Sequence, residues 1–66
     1  MNIAKSIRTG LAINSLSVSD IKECVSKTPQ HISLWMNNKS TPRLADVEKM
    51  AELFNVKVSV FIGWGE

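Results

Sequence analysis

Two helix-start signals stand close together near the middle of the chain, and they limit what it can become. The first is Ser17-Val18-Ser19-Asp20, a capping box with Asp in place of Glu. The Ser17 hydroxyl can accept the amide of the third helical residue, while Asp20 suits the positive end of the helix. The second is Thr28-Pro29, where Thr accepts an orphan amide bond as N-cap and Pro, with no amide to lose, takes the first helical position. Ile21 and Val25 then supply the buried face of a helix over 18–25, and Ile32 and Trp35 that of a helix over 29–37. Only Ser26, Lys27 and the Thr28 cap lie between them, so the pair forms a helix-turn-helix candidate.

The flanks continue the helical pattern. Ile3, Ile7 and Leu11 recur at every fourth position, predicting a helix over 2–14 that Gly10 weakens and Asn14-Ser15 ends. Leu44, Val47, Met50, Ala51 and Phe54 mark the inward stripe of a fourth helix over 43–54. The closing stretch NVKVSVFIGWGE has two readings. Val56, Val58 and Val60 alternate with polar residues as a strand would, whereas Ser59 would N-cap a short helix through Trp64, which is the preferred reading. At 66 residues the chain has room for one domain, 1–66, near the lower limit for a core without staples; the tail 56–66 is expected to gain burial from a partner.

Charge is distributed more tellingly than its total of +2 suggests. Between Glu23 and Asp46 every formal charge is positive, at Lys27, Lys39 and Arg43, whereas Asp46, Glu48 and Glu52 cluster beyond. One face can therefore meet an anionic partner. Cys24 is the only cysteine, which excludes an intramolecular disulfide framework and suits a reducing cytoplasm. No apolar run approaches a membrane span. One His and one distant Cys cannot build a zinc site, and no nucleophile, base and orienting acid share a recognisable spacing. A non-enzyme without cofactor, metal or small-molecule ligand is expected.

The stretch LSVSDIKECVSKTPQHISLWMNNKSTP, Leu16 to Pro42, resembles the helix-turn-helix of the lambda-type phage repressor and Cro family without a gap, and VEKMAELFNVKVSVFI resembles that family's fourth helix and ending. The resemblance implies an all-α, five-helix lambda repressor-like domain whose third helix enters the DNA major groove while the second crosses the backbone. It implies phosphate contacts at Ser17, Thr28 and Asn37, and side chains directed into the groove at Gln30, His31 and Leu34. Arg43 matches a position that reaches the minor groove or the dimer axis in some relatives. Lys27, Ser33, Asn38 and Lys39 complete the expected DNA-binding set. Val58, Phe61 and Trp64 are the expected homodimer surface, since family members associate through this end. Gln30 can donate to and accept from adenine at once, and Leu34 can pack on a thymine methyl.

Several positions depart from the family pattern. Val18 replaces a frequent phosphate-binding Gln, Lys22 a small Ala at the helix contact, and Ser26 the turn Gly. Lys22 is expected to snorkel outward. Leu11 and Met36 stand where many relatives carry a partly buried Arg–Glu pair, and are expected to touch; exchanging both partners of such a pair is often neutral or better. The implied function is a Cro-like phage or prophage repressor, a homodimer on a pseudo-palindromic operator. The alternatives are an antitoxin or controller protein on the same domain, or an interaction module that has lost DNA.

Overall fold

The computed structural model describes residues 2–66. The helices are α1 (Ile3–Asn14), α2 (Val18–Val25), α3 (Pro29–Met36), α4 (Leu44–Leu53) and α5 (Val58–Gly63), with no strand among the described residues. The alternation of Val56, Val58 and Val60 therefore does not become a strand.

Local signals explain most of the boundaries. Asn2 caps α1 by accepting the Lys5 amide at 3.1 Å, and Thr28 caps α3 by accepting the His31 amide at 3.4 Å, with Pro29 in the first turn. At α2 the box is reciprocal on one side only. The Ser17 amide donates to the Asp20 carboxylate at 2.8 Å, but the Ser17 hydroxyl also donates to that carboxylate, at 3.2 Å, and the Asp20 amide goes to the Ser17 carbonyl. A charged acceptor holds the hydroxyl better than an amide competing with a backbone bond can.

Helices α1 to α4 are each closed by a left-handed residue, Ser15, Ser26, Asn38 and Asn55, with φ between 54° and 57°. Glycine is the residue that adopts this conformation without strain, and none of the four is glycine. After α1, α3 and α4 the residue that follows reaches back: Leu16 to the Leu11 carbonyl at 3.0 Å, Lys39 to Leu34 at 2.9 Å and Val56 to Ala51 at 3.0 Å. These bonds satisfy carbonyls that a helix end otherwise leaves open.

Ile7, Ile21, Ile32, Met50 and Phe61 are wholly buried and form one core with Trp35 and Phe54. Helix α3 packs against α1 and α2, and α4 against α2 and α5, so the core positions α3 from two sides. Leu11 and Met36 are half-buried against that core from α1 and α3. Lys22 is exposed, in keeping with an outward-directed side chain.

Three expectations are corrected. Leu44 is 66% exposed instead of facing inward, because it occupies the first position of α4 before the helix meets the core; Asp46 is buried there in its stead. Ser59 does not cap α5: the helix starts at Val58 with Lys57 as N-cap, and the Lys57 carbonyl takes the Val60 and Phe61 amides. Seating Phe61 in the core sets that register, and packing outweighs a cap of about 1 kcal/mol. Phe61 is fully buried in the monomer, so its side chain does not form a partner surface. Its ring lies 5.7 Å from Phe54 and 6.1 Å from Trp64, and Trp64 is half-buried in the same trio.

Candidate nucleic-acid interface

Helix α3 buries Ile32 and Trp35, and with those two fixed the opposite side must face outward. Gln30, His31, Ser33, Leu34 and Asn37 are all exposed, with Leu34 at 40%. The side chains singled out from the sequence thus occupy the free face of the helix. Several are also tied to one another. Thr28 Oγ1 lies 2.9 Å from His31 Nδ1, and Asn37 Nδ2 donates to the Ser33 carbonyl at 2.8 Å. When the Thr28 hydroxyl donates to Nδ1, Nε2 is left as the proton donor of the ring. The pairing orients both the hydroxyl expected to meet phosphate and the imidazole expected to meet a base.

Cationic and polar side chains from separate segments converge at the start of α3. Lys27 from the turn, His31 from α3, and Arg43 from the start of α4 line one groove of about 270 Å³ together with Ser40, Thr41 and the buried Asp46. The Asp46 carboxylate accepts the Arg43 amide at 3.3 Å, which fixes the backbone from which the Arg43 side chain leaves. Sequence reading grouped Asp46 with Glu48 and Glu52 as a cluster of acids and did not single out Ser40 or Thr41. The spacing Arg43 to Asp46 is the only local sign of the cap. The convergence itself depends on α4 returning beside the turn, which no local pattern states.

Lys39 is exposed and held by its amide bond to Leu34, so it begins the loop directly beyond α3. Asn38 also lies at this end, and its Nδ2 donates to Asn2 Oδ1 at 3.2 Å. Ser17, at the start of α2, is exposed, but its hydroxyl is engaged by Asp20. The expected set is therefore split between the two ends of α3 and the start of α2. Of the residues expected at a dimer surface, Val58 and Trp64 are half-buried, whereas Val60 is 44% exposed and shares a shallow groove with Val56, Glu52 and Lys57.

The remaining chemistry is sparse. Cys24 Sγ donates to the Lys49 carbonyl at 3.2 Å; burial pushes its thiol above the ordinary value, Glu52 adds to this and Lys49 opposes it. Among the described residues no cluster of three His, Cys, Asp or Glu could hold a metal, and no helix is long and apolar enough to cross a membrane.

A helix-turn-helix family model matches residues 14–61, from the end of α1 into α5. Neither the curated proteins nor the solved structures gave a match. The family match covers most of the chain, includes α2, the turn and α3, and agrees with the five-helix lambda repressor-like architecture. The chain belongs to the lambda repressor/Cro-like helix-turn-helix family, whose members are DNA-binding regulators.

Proposed function

We propose that the protein is a Cro-like repressor that binds a pseudo-palindromic operator as a homodimer. One observation carries this reading: the outward face of α3 presents Gln30, His31, Ser33 and Leu34 beside a groove into which Lys27 and Arg43 also converge. Base-reading chemistry and phosphate-binding chemistry thus adjoin, as major-groove recognition requires. Gln30 pairs with an adenine edge, Leu34 packs on a thymine methyl, and His31 donates through Nε2. Lys27, Arg43, Lys39, Thr28, Asn37 and Asn38 set the position on the backbone. Ser17 contributes once its hydroxyl turns from Asp20 to a phosphate.

Two copies related by a two-fold axis place their α3 helices about one DNA turn apart, roughly 34 Å, and so require two matching half-sites. The exposed Val60 with half-buried Val58 supplies the apolar contact, and Glu52 and Lys57 on the same groove can pair crosswise in a symmetric dimer. Such a surface is small, so the dimer assembles partly on DNA. Repression follows where the operator overlaps a promoter and bound protein excludes polymerase.

In vitro selection of bound duplexes tests the whole reading. Two inverted half-sites spaced by about one turn are expected, with affinity that falls steeply as salt rises. Recovery of a single unpaired site refutes the dimer on DNA. Absence of salt-dependent binding refutes the DNA reading and leaves the interaction-module alternative.

A further inference from the structure

The far end of α3 carries a second polar groove, distinct from the one beside Lys27. It measures about 480 Å³, and Lys5, Arg8, Thr9, Asn37 and Asn38 line it beside the apolar Ala4 and Met36, with no carboxylate among its lining residues. Arg8 is exposed on α1 and donates from one terminal nitrogen to the Met36 carbonyl at 3.2 Å, where α3 ends. Four of its five N–H donors remain. Lys5, one turn earlier on α1, lies with its Nζ 3.4 Å from a main-chain oxygen of Glu66.

We propose that Arg8, supported by Lys5, seats a DNA backbone phosphate beside Asn37 and Asn38. The contact rests on the DNA-binding reading and extends it from the turn and α3 to α1. Three features favour phosphate as the occupant. The guanidinium is a planar fork suited to two phosphate oxygens, and its tether to Met36 limits the side-chain freedom lost on binding. Asn37 already belongs to the free face of α3, so an anion seated here is continuous with the duplex lying along that helix. The eight residues of α3 span about 12 Å, so this seat meets a different phosphate from those near Lys27 and Arg43. DNA is thereby held at both ends of the helix that reads it.

Arg8 also places positive charge at the carbonyl end of α3, a structural role that the test must separate from phosphate binding. The intact chain is titrated with its selected duplex over a salt series as wild type, R8A, R8Q, R8K and K49A. Lys49 is an exposed cation on α4 outside both grooves, and so controls for net charge. R8A and R8Q are expected to weaken all sequences alike and to flatten the salt slope by about one, with R8K restoring the slope and K49A leaving it at the wild-type value. R8Q keeps a donor for the Met36 carbonyl and serves if R8A does not fold. A wild-type slope in R8Q overturns the phosphate seat and assigns Arg8 to the helix end alone. An equal loss of slope in K49A overturns it too, since the effect is then general charge. Wild-type protein that binds without salt dependence overturns the DNA reading itself, an outcome visible before any variant is compared.

Discussion

Replacing Gly10 by Ala sets two effects of opposite sign against each other, and the structure decides between them. Gly10 lies inside α1, where Ala is favoured by about 1 kcal/mol on propensity alone. A Cβ at this position would stand 2.5 and 2.6 Å from two ring carbons of Phe54, against an ordinary carbon–carbon contact of about 3.5–4.0 Å. The ring must therefore retreat by about 1 Å. It has little room, because Phe54 is 2% exposed and its ring centroid lies 5.7 Å from that of Phe61 and 6.1 Å from that of Trp64. Overpacking of this kind costs about 1–3 kcal/mol, with the upper part of the range expected when an aromatic trio must shift together. The net effect of Gly10→Ala is a loss of about 1–2 kcal/mol, and with about 4–8 °C per kcal/mol in a domain of this size the melting temperature falls by about 4–16 °C. Gly63 is the internal control: it is exposed in α5, and a Cβ there would meet no atom within 4 Å, so Gly63→Ala is expected to be neutral or slightly stabilising. Thermal and urea unfolding followed by circular dichroism read both variants. A Gly10→Ala protein as stable as wild type, or more so, would show that the Phe54 contact relaxes freely and would refute the assignment of Gly10 as a packing glycine.

Other outcomes follow from the same structure. Ser26→Gly, at φ 55° in the turn between α2 and α3, should gain about 1 kcal/mol by removing left-handed strain; a loss in urea unfolding would mean that the serine side chain stabilises the turn. Gln30→Ala should relax discrimination at one base position by about 1–3 kcal/mol, whereas Lys39→Ala should weaken all sequences alike and lower the salt slope by about one; equal sequence-blind losses in binding titrations contradict the role of Gln30. Val60→Lys should leave the monomer fold intact and lower dimerisation, and an unchanged mass in sedimentation argues against this surface. Truncation before Val58 cannot make that test, because it also removes Phe61 from the core. Cys24 should alkylate slowly at neutral pH, and labelling as fast as a free thiol would contradict its burial. Because the folded-state value is raised, the associated stabilisation is full below about pH 8.5 and is lost as pH rises through the folded value.

The sequence by itself determined the features that a few adjacent residues control. Thr28-Pro29 sets the start of α3, Ser17 and Asp20 stand at the start of α2, and the apolar spacing assigns Ile7, Ile21, Ile32, Trp35 and Met50 to the interior. Caps and spacing also gave the helix-turn-helix candidate, and family resemblance added the groove-directed roles of Gln30, His31 and Leu34 on α3. Tertiary structure alone decided the rest. Leu44 fits the apolar stripe of α4 yet is exposed at its first position, ahead of the core, and Asp46 is buried in its stead. Phe61 turned inward because Phe54 and Trp64 offered it a site, a fact invisible in a tail whose valines suited two periodicities. Gly10 read as a weak point in α1 until Phe54 lay across it. Lys27, His31 and Arg43 likewise belong to three segments, and only the return of α4 beside the turn brings them into one groove. Caps and periodicity act over three or four residues and can be read locally; partners from distant segments meet only where the core has fixed the helices that carry them.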